Sequence, residues 1–151
     1  MKKETKKQLL IGAALVLELL FLLLYLNGRI DRLLDSDMSS EMILGQLLAR
    51  NNGILSDQWY YSTELRVLNT QLIYALFFRL SSNWHFVRMA STLVLWCVLI
   101  ASYGVLCRVM GCKKSFGVTA LLLAAPVSES YFRFVLAGVY YVPHLAIAFA
   151  A

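Results

Sequence analysis

The sequence predicts an all-α, polytopic membrane domain, and three observations predict it. Hydrophobic residues make up 60% of the 151 positions and charged residues only 15%, where soluble domains carry about 25% charged. Several apolar runs approach or reach the roughly 20 residues that cross a bilayer. The basic residues sit at the ends of those runs, where membrane topology puts them. The expectation is one helical unit over residues 1–151. It has about four membrane segments and an outer loop, residues 28–69, that contains an amphipathic helix.

The first element opens with "MKKETKK" and continues through a nearly unbroken apolar stretch from Gln8 to Asn27. A basic start before an apolar stretch also describes a signal peptide. This stretch is too long for that, carries Glu18 at its centre, and has no A-x-A-like site after Tyr25. It reads as an uncleaved spanning helix. Four lysines in its first seven residues put the N-terminus in the cytoplasm.

The outer loop follows and is the most polar part of the chain. Six of the nine acidic residues fall in it: Asp31, Asp35, Asp37, Glu41, Asp57 and Glu64. Asp37 is placed to N-cap a helix that runs through Glu41 to Arg50, since its carboxylate can accept from free backbone N–H groups. Met38, Met42, Ile43, Leu47 and Leu48 give that helix an apolar side. "NNG" at 51–53 stops it. Trp59, Tyr60 and Tyr61 suit the headgroup zone.

Thr70 to Leu80 is apolar but short, and reads as an interfacial or re-entrant helix. Met89 to Cys107 is free of charge and bracketed by Arg88 and Arg108, which makes a second span. It delivers Arg108, Lys113 and Lys114 to the same side as the N-terminal lysines. Ser115 to Val127 is shorter and closed by Pro126. It spans only by continuing past Glu129 toward Arg133, or where the bilayer is locally thin. Phe134 to Ala151 is a fourth apolar segment, holding Pro143 and His144. The chain stops while still apolar, and the sequence reads as one cut short.

The formal charge of +5 does not indicate nucleic-acid binding, because the basic residues form no stripe with interleaved aromatics. Cys97, Cys107 and Cys112 show no CxxC spacing, so neither a metal nor a redox motif is indicated. On this topology all six lysines lie inside and seven of the eight arginines outside. Arginine differs from lysine in offering a planar fork that holds phosphate with two prongs.

Asp35 and Asp37 are the first candidate site. In an extended segment two carboxylates two apart point the same way. They can share a divalent cation, or one can act as general base while the other positions it. The bland alternative makes Asp37 a helix cap and Asp35 a solvated loop charge. The segment "LDSDMSSEMILGQLLARNNGIL", Leu34 to Leu55, with a span before it and a short apolar helix and second span after it, resembles the N-terminal part of the GT-C superfamily of membrane glycosyltransferases. That group includes protein mannosyltransferases, oligosaccharyltransferases and aminoarabinose transferases.

The resemblance implies a sugar donor on a polyprenyl phosphate, used at the outer face of a bacterial cell membrane. It gives Asp35 the acidic position that many members use catalytically. Asp37 departs from the common adjacent Asp-Glu form, because a serine intervenes. The same resemblance makes Asp35 and Asp37 candidate ligands for Mg or Mn. It makes Arg66, Arg79, Arg88 and Arg133 candidate holders of the lipid phosphate, against the plainer reading that they snorkel at helix ends or pair with Asp57, Glu64 or Glu129. Members of the group have many more helices, so this fragment is expected to need further C-terminal helices or a partner subunit for activity.

Glu18, in mid-span, costs at least about 2.5 kcal/mol as a charge on insertion scales and is read as a partner contact. Glu129 and His144 are lesser candidates for the outer cavity. A rival reading is a small non-enzymatic membrane protein that binds a partner subunit through Glu18 and the amphipathic loop. A transporter fragment is weaker, since it wants polar breaks at mid-depth in paired helices.

Overall fold

A computed structural model gives the fold and describes residues 2–61, 70–112, 114–139 and 141–151. Among the described residues every regular element is helical. In chain order these are α1 (Lys2–Asn27), α2 (Ser36–Asn51), α3 (Thr70–Phe78), α4 (Trp84–Val109), α5 (Phe116–Ala124), α6 (Glu129–Tyr131), a π-helical segment (Phe132–Ala137) and α7 (Val142–Ala150). Two helices, Thr5–Asn27 within α1 and Trp84–Val109, are long and apolar enough to cross a membrane. A third crossing exists if α5 and the Glu129–Ala137 stretch are taken together as one broken span.

The two long helices lie antiparallel. Asn27, the last residue of α1, meets His85 in the first turn of α4. At the opposite end, Gly117 of α5 sits against Ile11 of α1, so close that a Cβ there would fall 2.6 Å from the Ile11 Cγ2. The N-terminal lysines and Lys114 therefore share one end of the pair, while Asp31, Asp35 and Asp37 lie at the other. Gly117, Ala120 and Ala124 supply the small residues that α5 needs for this approach, and Ala120 and Ala124 are buried. Close backbone contact of this kind drives helix association where water offers no hydrophobic force.

α4 buries one stripe: Arg88, Ser91, Thr92, Leu95, Trp96 and Leu99. The spacing of three and four residues keeps them on one face. Its upper, polar half looks toward α2 and α3. Its lower half packs with Leu22 and Leu26 of α1, with the π-helical segment and with Val142 of α7.

The last third of the chain departs from two straight spans. At Pro126 the path bends by 86° between α5 and Glu129–Ala137, because proline ends the helix and the residue before it leaves the α region; Ala125 has ψ 138°. The sequence expectation that this run closes at Pro126, and spans only by continuing past Glu129 toward Arg133, meets a bent pair that is one crossing only if both halves are taken together. The π-helical segment closes with Gly138 N–H donating to the Arg133 carbonyl at 2.8 Å. The Leu136 carbonyl takes the Trp96 indole N–H at 2.9 Å.

Val139 then reverses the chain at φ 56°, a left-handed conformation that costs a β-branched residue ~1–2 kcal/mol. Its fully buried side chain offsets that cost. Phe116 at the start of this region stacks on Tyr103 at 6.1 Å, and Phe149 near its end meets the same ring at 5.4 Å. Phe132, halfway, meets Tyr25 at 5.7 Å. Residues 116–139 and 141–151 thus leave the lysine end and return to it.

Candidate polar site between the loop helices and the second span

The site lies at the acidic end, where α2 and α3 cross over the first turns of α4. α2 begins two residues earlier than the sequence suggested, and its cap is Asp35. That corrects the assignment of the cap to Asp37. Asp35 has extended backbone (φ −100°, ψ −178°), and its Oδ1 accepts the Met38 N–H at 2.9 Å. The Ser39 hydroxyl donates to the Asp35 carbonyl at 2.6 Å. Asp37 is an exposed residue of the first helical turn. The two carboxylates therefore do not share an extended strand, so the argument that they point the same way falls. The helix stops as read: Asn52 is left-handed at φ 50°, and its N–H caps the Ala49 carbonyl.

α2 packs on α3 through a glycine. A Cβ on Gly45 would lie 2.7 Å from the Tyr74 Cβ and 3.0 Å from the Gln71 carbonyl oxygen. The buried residues of α2 are Met38, Glu41, Met42, Leu44, Gly45 and Leu48. Ile43, assigned to the apolar side, is exposed, and Glu41 takes a place inside.

Around this crossing polar groups are gathered out of solvent. Glu41 is 8% exposed, Gln71 7%, Thr70 2%, Tyr74 1% and Arg88 2%. The Thr70 hydroxyl donates to Glu41 Oε2. Burial pushes the Tyr74 hydroxyl well above its ordinary pKa, and the Glu41 and Asp35 carboxylates add to the effect against Arg88. Tyr74 thus remains a protonated donor. Gln71 Oε1, Ser91 Oγ and Thr92 Oγ1 are buried without hydrogen-bond partners.

Arg88 is the keystone of the arrangement. One nitrogen, Nη1, donates to the Ile30 carbonyl at 2.7 Å; Nη2 reaches the Leu33 carbonyl at 3.5 Å and lies 2.7 Å from Met38 Sδ. The fork is spent on the backbone of the connector between α1 and α2. One turn earlier, His85 holds the same connector: Nδ1 lies 3.0 Å from Asp31 Oδ2 and Nε2 3.1 Å from Asn27 Oδ1. Two side chains of the second span therefore set the path that leads to Asp35.

The remaining candidates are spread out. Arg79 and Arg133 are exposed, as are Glu129 and His144. Phe132, next to Arg133, sits on Tyr25, whose ring also lies 4.3 Å under the Arg29 guanidinium. Glu18 is half-buried on α1. Arg66 and Glu64 lie outside the described residues. Among the described residues no three of His, Cys, Asp and Glu come together as a metal cage.

Sequence reading missed Glu41, Gln71, Tyr74 and His85. For Glu41 a signal existed: it falls on the apolar side of α2, three residues after Met38 and four before Gly45. No protein-family model, curated protein or solved structure matches the chain.

Proposed function

We propose that this chain carries the acidic outer loop of a membrane glycosyltransferase of the GT-C type. It would act at the outer face of a bacterial cell membrane, with the lysine-rich end in the cytoplasm. The donor is a sugar on a polyprenyl phosphate, and the acceptor hydroxyl approaches the acidic end. The observation that carries the reading is Asp35: a half-buried carboxylate at the head of a loop helix, at the end of the two spans away from the lysines. Oδ1 is held by the cap and makes no free choice of orientation. Oδ2 remains to take a proton.

The step this supports is a displacement. Asp35 takes the proton of the acceptor hydroxyl as its oxygen forms a bond to the anomeric carbon. The bond from that carbon to the lipid phosphate breaks, and the phosphate leaves with the electron pair. Arg79 and Arg133, exposed at the same end, meet the phosphate, where a planar fork outperforms an ammonium. Arg88 serves instead to order the connector. The metal donors on offer are two carboxylates, Asp35 and Asp37, one already spending an oxygen on the cap. Mg takes six oxygens, several of them water, and no step here is routed through a metal.

The test is sugar transfer in membranes from cells that carry the gene intact, with Asp35→Asn or Asp37→Asn. Asparagine caps helices as well as aspartate does, so α2 is kept. A lost general base costs about 100-fold or more, and Asp35→Asn is expected to show that loss. Transfer at the unmutated rate in both variants ends the proposal. A second reading, a partner-binding subunit, is favoured by α1, whose spanning window is only 11% buried and carries Glu18. On that reading Glu18→Leu breaks an assembly seen by crosslinking, and the loop aspartates tolerate change.

A further inference from the structure

We propose that the turn between α5 and α6 is the docking surface for a further transmembrane helix, one that brings a lysine or arginine to Glu18. Depth is the first reason. Leu123 and Ala124, which end α5, line one small cavity with Leu19 of α1 and with Trp96 and Leu99 of α4. Leu19, Trp96 and Leu99 lie near the midpoints of the two long helices, so α5 stops near the centre of the apolar layer.

The backbone is the second. Ala125 to Ser128 is not helical, and Pro126 to Ser130 are exposed. The Leu121 carbonyl takes the Ala125 N–H at 3.0 Å, and the Leu123 carbonyl takes the Tyr131 hydroxyl at 2.6 Å. The Leu122 carbonyl between them finds no backbone donor one turn on, because Pro126 has no N–H. Irregular backbone at this depth is stable only where protein or water covers it, since hydrocarbon offers no hydrogen bonds.

Charge is the third. Ile11 of α1 meets Gly117 of α5, and both helices run inward from the lysine end. Seven residues further along each, roughly 10 Å at the helical rise, Glu18 comes level with Ala124. Glu18 stands seven residues after Ile11 and four before Leu22, on the side of α1 that looks toward α5. Among the described residues it makes no hydrogen bond or ion pair. A carboxylate at mid-depth is costly and almost always pairs.

These features fix the occupant. An element that covers the turn at this depth must satisfy its own backbone, which a helix does. It must also answer Glu18, which a cation does. A second copy of this chain does not qualify. Its two long helices hold no lysine or arginine from Gln8 to Asn27 or from Met89 to Cys107, and it would set Glu18 against Glu18. The proposal rests on the partner-binding reading above, to which it adds the contact surface and the partner's chemistry, and is independent of any chemistry at Asp35.

The test uses the whole chain in nanodiscs with synthetic leucine–alanine transmembrane peptides that carry lysine, leucine or glutamate at the centre. Binding is read by energy transfer between fluorophores on chain and peptide. The lysine peptide is expected to bind about five- to thirtyfold more tightly than the leucine peptide, the scale of one interhelical polar contact. Glu18→Leu, an apolar residue in an apolar span, should abolish that preference, and Glu18→Lys should transfer it to the glutamate peptide. A photocrosslinker at Val127, 64% exposed in the turn, should capture the lysine peptide, while one at Val105, exposed on α4, should not.

Equal binding of the lysine and leucine peptides overturns the inference, as does a preference that survives Glu18→Leu or capture at Val105 instead of Val127. So does a dimer of the chain captured through Val127 without peptide. If Glu18→Leu breaks an assembly in cells while the peptides bind alike, the partner-binding reading stands and this inference alone falls.

Discussion

Replacing Gly45 by alanine tests the α2–α3 crossing on which the polar site is built. The new methyl would stand 2.7 Å from the Tyr74 Cβ, 3.0 Å from the Gln71 carbonyl oxygen and 3.3 Å from the Ala75 nitrogen. Carbon atoms in contact prefer about 3.5–4.0 Å, so the helices must part by roughly 1 Å. No rotamer change relieves this, because two of the three atoms are backbone and the third is a Cβ. Overpacking of this kind costs ~1–3 kcal/mol. Alanine returns up to ~1 kcal/mol as the better helix former.

The net expectation is a loss of ~1–2 kcal/mol, or about 2–8 °C in Tm for a chain of this size. Thermal unfolding in detergent at one fixed scan rate reads the change, and faster hydrogen exchange in α2 locates it. Gly12→Ala is the control, since its Cβ meets nothing within 4 Å and it should be neutral or slightly stabilising. A Gly45→Ala protein as stable as the parent, with α2 exchange unchanged, would show that the crossing is not close-packed.

Three further outcomes are expected. Trp96→Phe removes the donor to the buried Leu136 carbonyl and should cost ~1–3 kcal/mol, with faster exchange confined to the π-helical segment and its neighbours. Arg88→Lys keeps the charge but not the fork; it cannot hold the Ile30 and Leu33 carbonyls in the same way, and connector exchange should rise about tenfold while α5 and α7 are unaffected. Asp35→Ala should destabilise α2 by ~1 kcal/mol through loss of the cap, and Asp37→Ala should change stability by less than about half of that; equal effects in urea-dependent exchange would contradict the assignment of the cap.

The two long helices were legible in the sequence because unbroken apolar runs with charges only at their ends have few other solutions. The stop of α2 was legible too, since asparagine accepts the left-handed turn that Asn52 makes. The start was misassigned by two residues because Asp35 and Asp37 both have capping chemistry, and only the path of the connector selects between them. Sequence pattern does not reveal that path, which Arg88 and His85 fix from a helix more than 50 positions away.

The interior placement of Glu41, Gln71 and Tyr74 escaped for a related reason. A polar residue on a loop helix looks solvated until its neighbour across the crossing is known, and here a glycine brings that neighbour close. Pro126 announced a break, but its angle, and the return of the last helix to Tyr103, depend on packing against α1 and α4 and have no local signature.

The double contact of Phe116 and Phe149 with one tyrosine has a bearing on reporter fusions. A segment that sets out from one bilayer surface and comes back to it leaves compartment parity unaltered. A reporter joined beside Lys2 and another joined after Ala151 should therefore give the same answer. One spliced into the turn at Ser56, on the far side of both long helices, should give the opposite one.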